Sequence, residues 1–417
     1  MVCISFYFIV TQSSSIEREF GVLYLGIMIK TGLDTIESGW PKKLRGLRAG
    51  LVVHPASVNR FLEHSVDILL RSKKVKLTAL FGPQHGIRGE SQDNMIEWEG
   101  FQDGKTGLPV YSLYGTTREP DESMLGDIEV MIVDLQDIGS RYYTFIWTMD
   151  LCMRACTKAD KPIVILDRPN PINGIQAEGP VLDPAYTSFV GLDPLPVRHG
   201  MTIGEIGNYL WAEFYPSLDF HVVRMKGWKR KMWFDETGLP WVPPSPNIPT
   251  LDSAIVYPGM CLLEGITVSE GRGTTRPFEI FGAPFIDPDK LTQMLNRLKL
   301  PGVSFRSLYF EPTFQKHAGQ LCGGAQIHVL NRKRFRPFKT AIAVIKVIHD
   351  LYPDHFSWKQ PPYEYETEKL PIDILTGADR IRNDIEKGKK LNKMEDWWTD
   401  QCTAFIKEKR KRYLIYE

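Results

Sequence analysis

The 417-residue sequence is poor in cysteine, with six residues (Cys3, Cys152, Cys156, Cys261, Cys322 and Cys402) scattered along it. That sparseness excludes a disulfide framework, and the lack of any Cys-x-x-Cys pair removes zinc and thioredoxin-type sites. A net charge of +1 excludes a chain-wide footprint for nucleic acid or a membrane surface. No Gly-x-Gly-x-x-Gly follows the first strand-like run and no Walker motif occurs, so a nucleotide-dependent oxidoreductase rests on fold alone. A Gly-x-Ser-x-Gly elbow and a His-Glu-x-x-His are also missing, which leaves serine-hydrolase and zincin readings unsupported. The apolar residues 2–10 have no preceding Lys or Arg and no cleavage site after them, and they are too short to span a membrane. Residues 1–30 are expected to be disordered or a mis-called start, with Met28 an alternative initiator, and the protein is expected to be cytoplasmic.

What is present is an ordinary soluble composition, 43% hydrophobic and 24% charged, in a chain long enough for two domains. Three apolar runs stop in polar loops. The run 75–80 enters Phe81-Gly82-Pro83-Gln84-His85-Gly86-Ile87-Arg88-Gly89-Glu90. The run 130–135 enters Gln136-Asp137-Ile138-Gly139-Ser140-Arg141, and 163–166 enters Asp167-Arg168-Pro169-Asn170-Pro171. Strands buried on both faces read as continuous apolar runs, and open α/β sheets bind ligands beyond the strands' carboxyl ends. Helical patterns over 59–71, 142–159 and 202–214 alternate with these runs, the last opening on a Thr202/Glu205 capping box. The expected fold is α/β: a Rossmann-like, doubly wound N-terminal domain over 31–249, then a smaller α+β domain over 250–417 that completes a cleft. Four prolines between Pro243 and Pro249 mark a rigid crossing between the two.

The chemistry is sought at the strand ends. Glu90, Asp93, Glu97 and Glu99 share one polar stretch with His85 and Arg88; a carboxyl there, against Trp98 or Phe101, can be raised enough to donate a proton, as glycoside chemistry requires. Solvated loop charges are the plainer account of most of them. His85 is either a loop-fixing donor or a catalyst. Asp137 and Arg141 are either a cap and salt bridge or site residues, and Arg168 either grasps a substrate carboxylate or pairs with Asp167 or Glu178. Glu264 and the loop Ser269-Glu270-Gly271-Arg272-Gly273-Thr274 bring a further acid pair and an arginine from the second domain.

At these motifs the sequence resembles the exo-β-N-acetylmuramidase family (NamZ), from about Thr31 to the C-terminus. The resemblance is carried by Phe81 to Gly86, Asp137 to Thr144, Leu166 to Pro171, Glu178-Gly179-Pro180, His199-Gly200-Met201-Thr202-Ile203-Gly204-Glu205, Trp228 to Met232, Pro244 to Asn247, Glu264-Gly265 and Ser269 to Thr274. It implies an active site between a Rossmann-like domain and a smaller one, acting without cofactor or metal. It also implies release of N-acetylmuramic acid from the non-reducing end of peptidoglycan fragments, so the partner is a saccharide or muropeptide. The family loop commonly reads Pro-Glu-His-Gly, its glutamate the proposed acid; here that position is Gln84, which has no acidic proton. Either Glu90 or Glu97 has taken over, with Asp137, Glu270 or the substrate's acetamido group as partner and His85 beside them, or the protein binds muropeptides with little turnover. Arg168, Arg141 or Arg272 would hold the lactyl carboxylate. Gln84, Arg88, Asp167, Asn170, Glu178, His199 and Glu264 complete the expected binding set.

Overall fold

The computed structural model describes residues 29–89, 91–93 and 95–417; residues 1–28, most of the expected leading segment, lie outside it, as do Glu90 and Asn94. Ile29 and Lys30 already belong to the fold, through hydrogen bonds to Thr237 and Lys226.

The strands in chain order are β1 (Arg48–Val53), β2 (Lys76–Gly82), β3 (Phe101–Gln102), β4 (Pro109–Ser112), β5 (Val130–Asp134), β6 (Ile163–Leu166), β7 (Glu178–Val181), β8 (Pro196–Arg198), β9 (Phe220–Val223), β10 (Ile280–Ala283), β11 (Val303–Phe310) and β12 (Cys322–Val329). Seven form one sheet, ordered β3-β4-β2-β1-β5-β6-β9. Every pairing in it is parallel except the edge pair β3–β4.

The apolar runs make this sheet because successive side chains alternate between two buried faces. Val52, Met131, Val133, Ile163 and Ile165 join one apolar cluster with the helices Phe145–Lys158 and Ile203–Phe214. Leu51, Val53, Val130, Ile132, Val164 and Leu166 join another with the helices Gly32–Gly39 and Ser65–Arg71. Helices cover both faces, so the sheet is doubly wound. The helix expected over 59–71 is shorter. Asn59 accepts hydrogen bonds from the backbone of Phe61 and Glu63 to make a turn, and Phe61 and Leu62 are exposed.

The second part of the chain carries the antiparallel sheet β10-β12-β11 and the helices Leu251–Met260, Pro288–Arg297 and Pro337–Leu351. Its core is continuous with the first: Phe145 and Trp147 share a cluster with Tyr257, Leu263, Phe278 and Phe338. One apolar core across the junction fixes the relative placement of the two sheets. The chain end then returns to the first domain, where Tyr416 donates to Asp167 at 2.6 Å and Ile415 N–H to Glu205 at 2.8 Å.

The sheet order reverses at β1, between β2 and β5. β1 runs directly into His54-Pro55-Ala56-Ser57. His54 is buried and neutral, its pKa lowered to about 3 by burial. It donates from Nδ1 to Pro244 O at 3.1 Å and accepts Gln136 N–H on Nε2 at 2.9 Å. The proline-rich crossing is thereby tied to the strand ends, its own Ser245, Asn247 and Ile248 buried.

Candidate active site

One wall comes from the loop after β2. Its entry requires glycine: a Cβ on Gly82 would lie 2.6 Å from the Trp98 ring. Trp98 also donates to Pro83 O at 3.2 Å. His85 adopts a left-handed conformation, φ 71°, and donates from Nδ1 to Ser91 O at 2.7 Å. Burial lowers its pKa to about 4, against that hydrogen bond, so Nε2 is an acceptor at neutral pH. Gln84 is buried and fully oriented: Oε1 accepts from Thr144 Oγ1 at 3.0 Å, and Nε2 donates to Tyr114 OH at 3.1 Å.

The facing wall comes from the second domain. A 3-10 turn, Cys261–Gly265, presents Glu264. Its Oε1 takes Arg272 Nη2 at 2.5 Å and its Oε2 takes Tyr363 OH at 2.7 Å. Burial raises the Glu264 carboxyl, but Arg272 and Tyr363 outweigh it, and the net pKa lies below the usual glutamate value. Glu264 is the ionised carboxylate of the site. Arg272 also meets Glu270 at 3.2 Å, and Lys316 closes on Glu270 at 2.9 Å.

The next residue after Tyr363 behaves in the opposite way. Glu364, φ 45°, is buried and accepts Tyr114 OH on Oε2 at 2.9 Å. Among the described residues no ion pair joins a cation to it, and burial, with the Glu264 charge adding to it, raises its pKa to about 7. Gln84, His85, Glu264, Arg272, Tyr363 and Glu364 all line one cavity of about 40 Å³ between the two domains, room for about one water. A pair of carboxyls pushed apart in pKa on one cavity is the arrangement that separates a proton donor from a charge-bearing partner.

Two family models cover the chain: exo-β-N-acetylmuramidase NamZ, N-terminal, over residues 49–252, and its C-terminal counterpart over 255–416. The chain belongs to the NamZ family. It is 48% identical over 388 residues to the peptidoglycan β-N-acetylmuramidase NamZ of Bacillus subtilis (strain 168), covering 93% of this chain and 91% of that one. Among solved structures, a DUF1343 family protein of Bacteroides fragilis NCTC 9343 superposes with a TM-score of 0.84 at 37% identity, covering 94% of this chain and 100% of that one. A second DUF1343 protein of that organism gives 0.73 at 30% identity, covering 93% and 99%.

Within this NamZ fold, the residues expected from sequence divide sharply. Gln84, His85, Glu264 and Arg272 line the cavity, and Glu270 adjoins it through Arg272. Arg168 does not: it makes a bidentate pair with Asp134, 2.6 and 2.8 Å, rather than with Asp167 or Glu178. Arg141 is buried with its guanidinium on the carbonyls of Pro180, Leu195 and Leu375. Asp137 takes Gly139 N–H and lies 3.2 Å from His199, both buried outside the cavity lining. Asp167 caps the helix Ile203–Phe214 through Gly204 N–H and Thr202. Glu178 caps the helix Pro337–Leu351 through the N–H groups of Phe338 and Lys339. Asn170 spans its own loop to Met201 O. Glu97 and Arg88 are exposed, paired with Arg118 and Asp103. Glu90 is outside the described residues.

Sequence reasoning missed Tyr114, Thr144, Tyr363 and Glu364. The signal for the last two was in Pro361-Pro362-Tyr363-Glu364-Tyr365, a carboxylate between aromatic rings in a proline-framed loop. It is the same acid-against-an-apolar-wall pattern that drew attention to Glu90.

Proposed function

We propose that this chain is a peptidoglycan β-N-acetylmuramidase, a glycosidase that releases N-acetylmuramic acid from the non-reducing end of peptidoglycan fragments. Membership of the NamZ family and the likeness to the Bacillus subtilis enzyme support the activity. The observation that carries it on this chain is the pair Glu264 and Glu364, two carboxyls of opposite protonation preference on one interdomain cavity. Hydrolysis of a glycoside needs such a pair: one group to protonate the departing oxygen, one negative charge to stabilise the oxocarbenium-like transition state or the species that attacks it. Of the three arginines considered for the lactyl carboxylate, Arg272 is the one that lines the cavity.

The test is release of N-acetylmuramic acid from a β-linked N-acetylmuramyl-N-acetylglucosamine disaccharide by purified protein, followed by mass spectrometry. Product from the muramyl non-reducing end, and none from a disaccharide in reversed order, is the expected result. A second reading, a muropeptide-binding protein with little turnover, is favoured by one observation: Gln84, at the family's acid position, is held as an amide by Thr144 and Tyr114. Saturable disaccharide binding with no released sugar would decide for it. The proposal extends to a cytoplasmic site of action on imported fragments, supported by the free, buried state of the five cysteines among the described residues; fractionation of the native host that finds the protein outside the membrane would remove that part.

A further inference from the structure

We infer that Glu364 is the proton donor of the reaction, held in place by Tyr114 and Gln84, and that Gln84 is a positioning residue. The inference rests on the glycosidase reading and assigns its acid.

The geometry supplies three independent reasons. Glu364 lines the same cavity as Glu264, so the two carboxyls belong to one site. Its hydrogen-bond partner comes from a different domain: Tyr114 follows β4, 250 positions away, and is itself held by Gln84, which follows β2. The chain Thr144–Gln84–Tyr114–Glu364 fixes the carboxyl from behind, at 3.0, 3.1 and 2.9 Å. Finally, the backbone at Glu364 and Tyr365 takes left-handed φ values of 45° and 70°. Such conformations are unfavourable for residues with side chains and persist where the surroundings impose them. They place Tyr363 on Glu264 and the adjacent Glu364 on Tyr114.

The charged and titratable groups around Glu364 among the described residues include Tyr114, Glu264, Arg272 and Tyr363, with His85 on the same cavity. Arg272 is closed onto Glu264 and Glu270, and among the described residues no ion pair joins a cation to Glu364. Its carboxyl therefore keeps a proton near neutrality, whereas Glu264 does not. In the reaction the Glu364 O–H gives its proton to the glycosidic oxygen as the C1–O bond breaks, and the bonding electron pair stays on that oxygen. The shortened glycan leaves as an alcohol. A water then supplies the hydroxyl at C1, and its second proton restores the carboxyl. This division of labour leaves the Gln84 amide no proton to give and assigns it the orientation of Tyr114.

The experiment compares two substrates. The muramyl disaccharide has a poor leaving group that needs protonation; the 2,4-dinitrophenyl β-N-acetylmuraminide leaves as a stable phenolate and does not. Glu364→Gln is expected to lower kcat/KM on the disaccharide by about 10²- to 10⁴-fold and on the aryl glycoside by about tenfold or less. The high-pH limb of kcat/KM on the disaccharide is expected to disappear with it. Glu97→Gln, half-exposed on Arg118, is expected to match wild type on both substrates. Equal losses on both substrates in Glu364→Gln, or no loss on the disaccharide, would overturn the assignment. If Glu364→Gln does not fold, Tyr114→Phe decides. Removing a donor to the carboxylate raises the donor's pKa, so the high-pH limb must move upward, and an unmoved limb refutes the role. A wild-type protein inert on both substrates would instead remove the glycosidase reading, and the donor assignment with it.

Discussion

Arg272 holds Glu264 at 2.5 Å inside a wall that leaves both side chains less than a tenth exposed. The same guanidinium reaches Glu270 at 3.2 Å, so it neutralises two buried carboxylates at the cavity wall. Arg272→Met should leave Glu264 and Glu270 facing each other with Lys316 as the cation on Glu270. A loss of about 3–5 kcal/mol in unfolding free energy is expected at pH 7, because removing one partner strands a buried charge. The sign with pH follows from Glu264, whose folded pKa lies below its usual value. That stabilisation is present above the unfolded pKa and is lost as pH falls through the folded one. The deficit of the variant should therefore shrink in urea titrations run below the usual glutamate range, and a deficit independent of pH would contradict it.

Arg168 offers a contrast on the other side of β1. Its fork is filled by Asp134, and a third bond runs to Val58 O at 3.0 Å. Arg168→Met should cost about 3–5 kcal/mol of stability for the same reason. Any residual activity should keep its preference for muramic over glucosamine substrates, because the side chain lies outside the cavity lining. A selective loss on muramic substrates, with the melting temperature unchanged, would return Arg168 to the binding site.

The comparison of these two arginines shows what the sequence reveals and what it hides. The strands β5 and β6 were legible because a chain segment buried on both faces has no polar position to interrupt it. The Thr202/Glu205 capping box was legible because it is local: both hydrogen bonds form within one turn. Polar residues at strand ends were legible only as a group. Asp137, Arg141, Asp167 and Arg168 follow strands as functional residues do, yet Arg141, Asp167 and Arg168 are spent on carbonyls, a helix N-terminus and a strand-end carboxylate from elsewhere in the chain, and Asp137 on the Gly139 N–H of its own loop. Glu364 was hidden for the converse reason. Its environment is made by Tyr114, Gln84 and Glu264, none near it in sequence, so the local pattern of a carboxylate between aromatic rings does not give its protonation, which is opposite to that of Glu366, whose pKa is lowered by neighbouring backbone N–H groups.

Asp150 gives a pH prediction away from the cavity. It sits in the helix Phe145–Lys158, buried, accepting Tyr215 OH at 2.8 Å on one oxygen, with Arg154 3.8 Å from the other. Burial, and then Asp193, raise its pKa to about 7. An acid raised on folding binds more protons in the native state between its unfolded value near 3.8 and about 7, so stability falls as pH rises through that window. Asp150→Asn removes the charge and keeps the shape. The variant should melt higher than wild type at pH 8 and close to it at pH 4, with unchanged kcat/KM at neutral pH. A uniform loss of melting temperature across that range would show that the carboxylate is needed.

Gln84→Glu returns to this chain the residue the family loop commonly carries. The new carboxyl would replace an amide that donates to Tyr114 at 3.1 Å, and Tyr114 in turn donates to Glu364. Two carboxyls in that space cannot both ionise cheaply, so they should share a proton, with one apparent pKa pushed up and the other down. The high-pH limb of kcat/KM should then shift upward from its wild-type position near about 7, the value set by Glu364, and the variant should stay active at pH 8 where wild type declines. In Gln84→Glu/Glu364→Gln the newly installed carboxyl is the single acid left beside Tyr114. Recovery of disaccharide turnover in that double variant, relative to Glu364→Gln alone, would show that the proton is needed at this cavity wall and that either residue can carry it. Turnover as low as in Glu364→Gln would show that position 84 orients the donor and lies out of reach of the glycosidic oxygen.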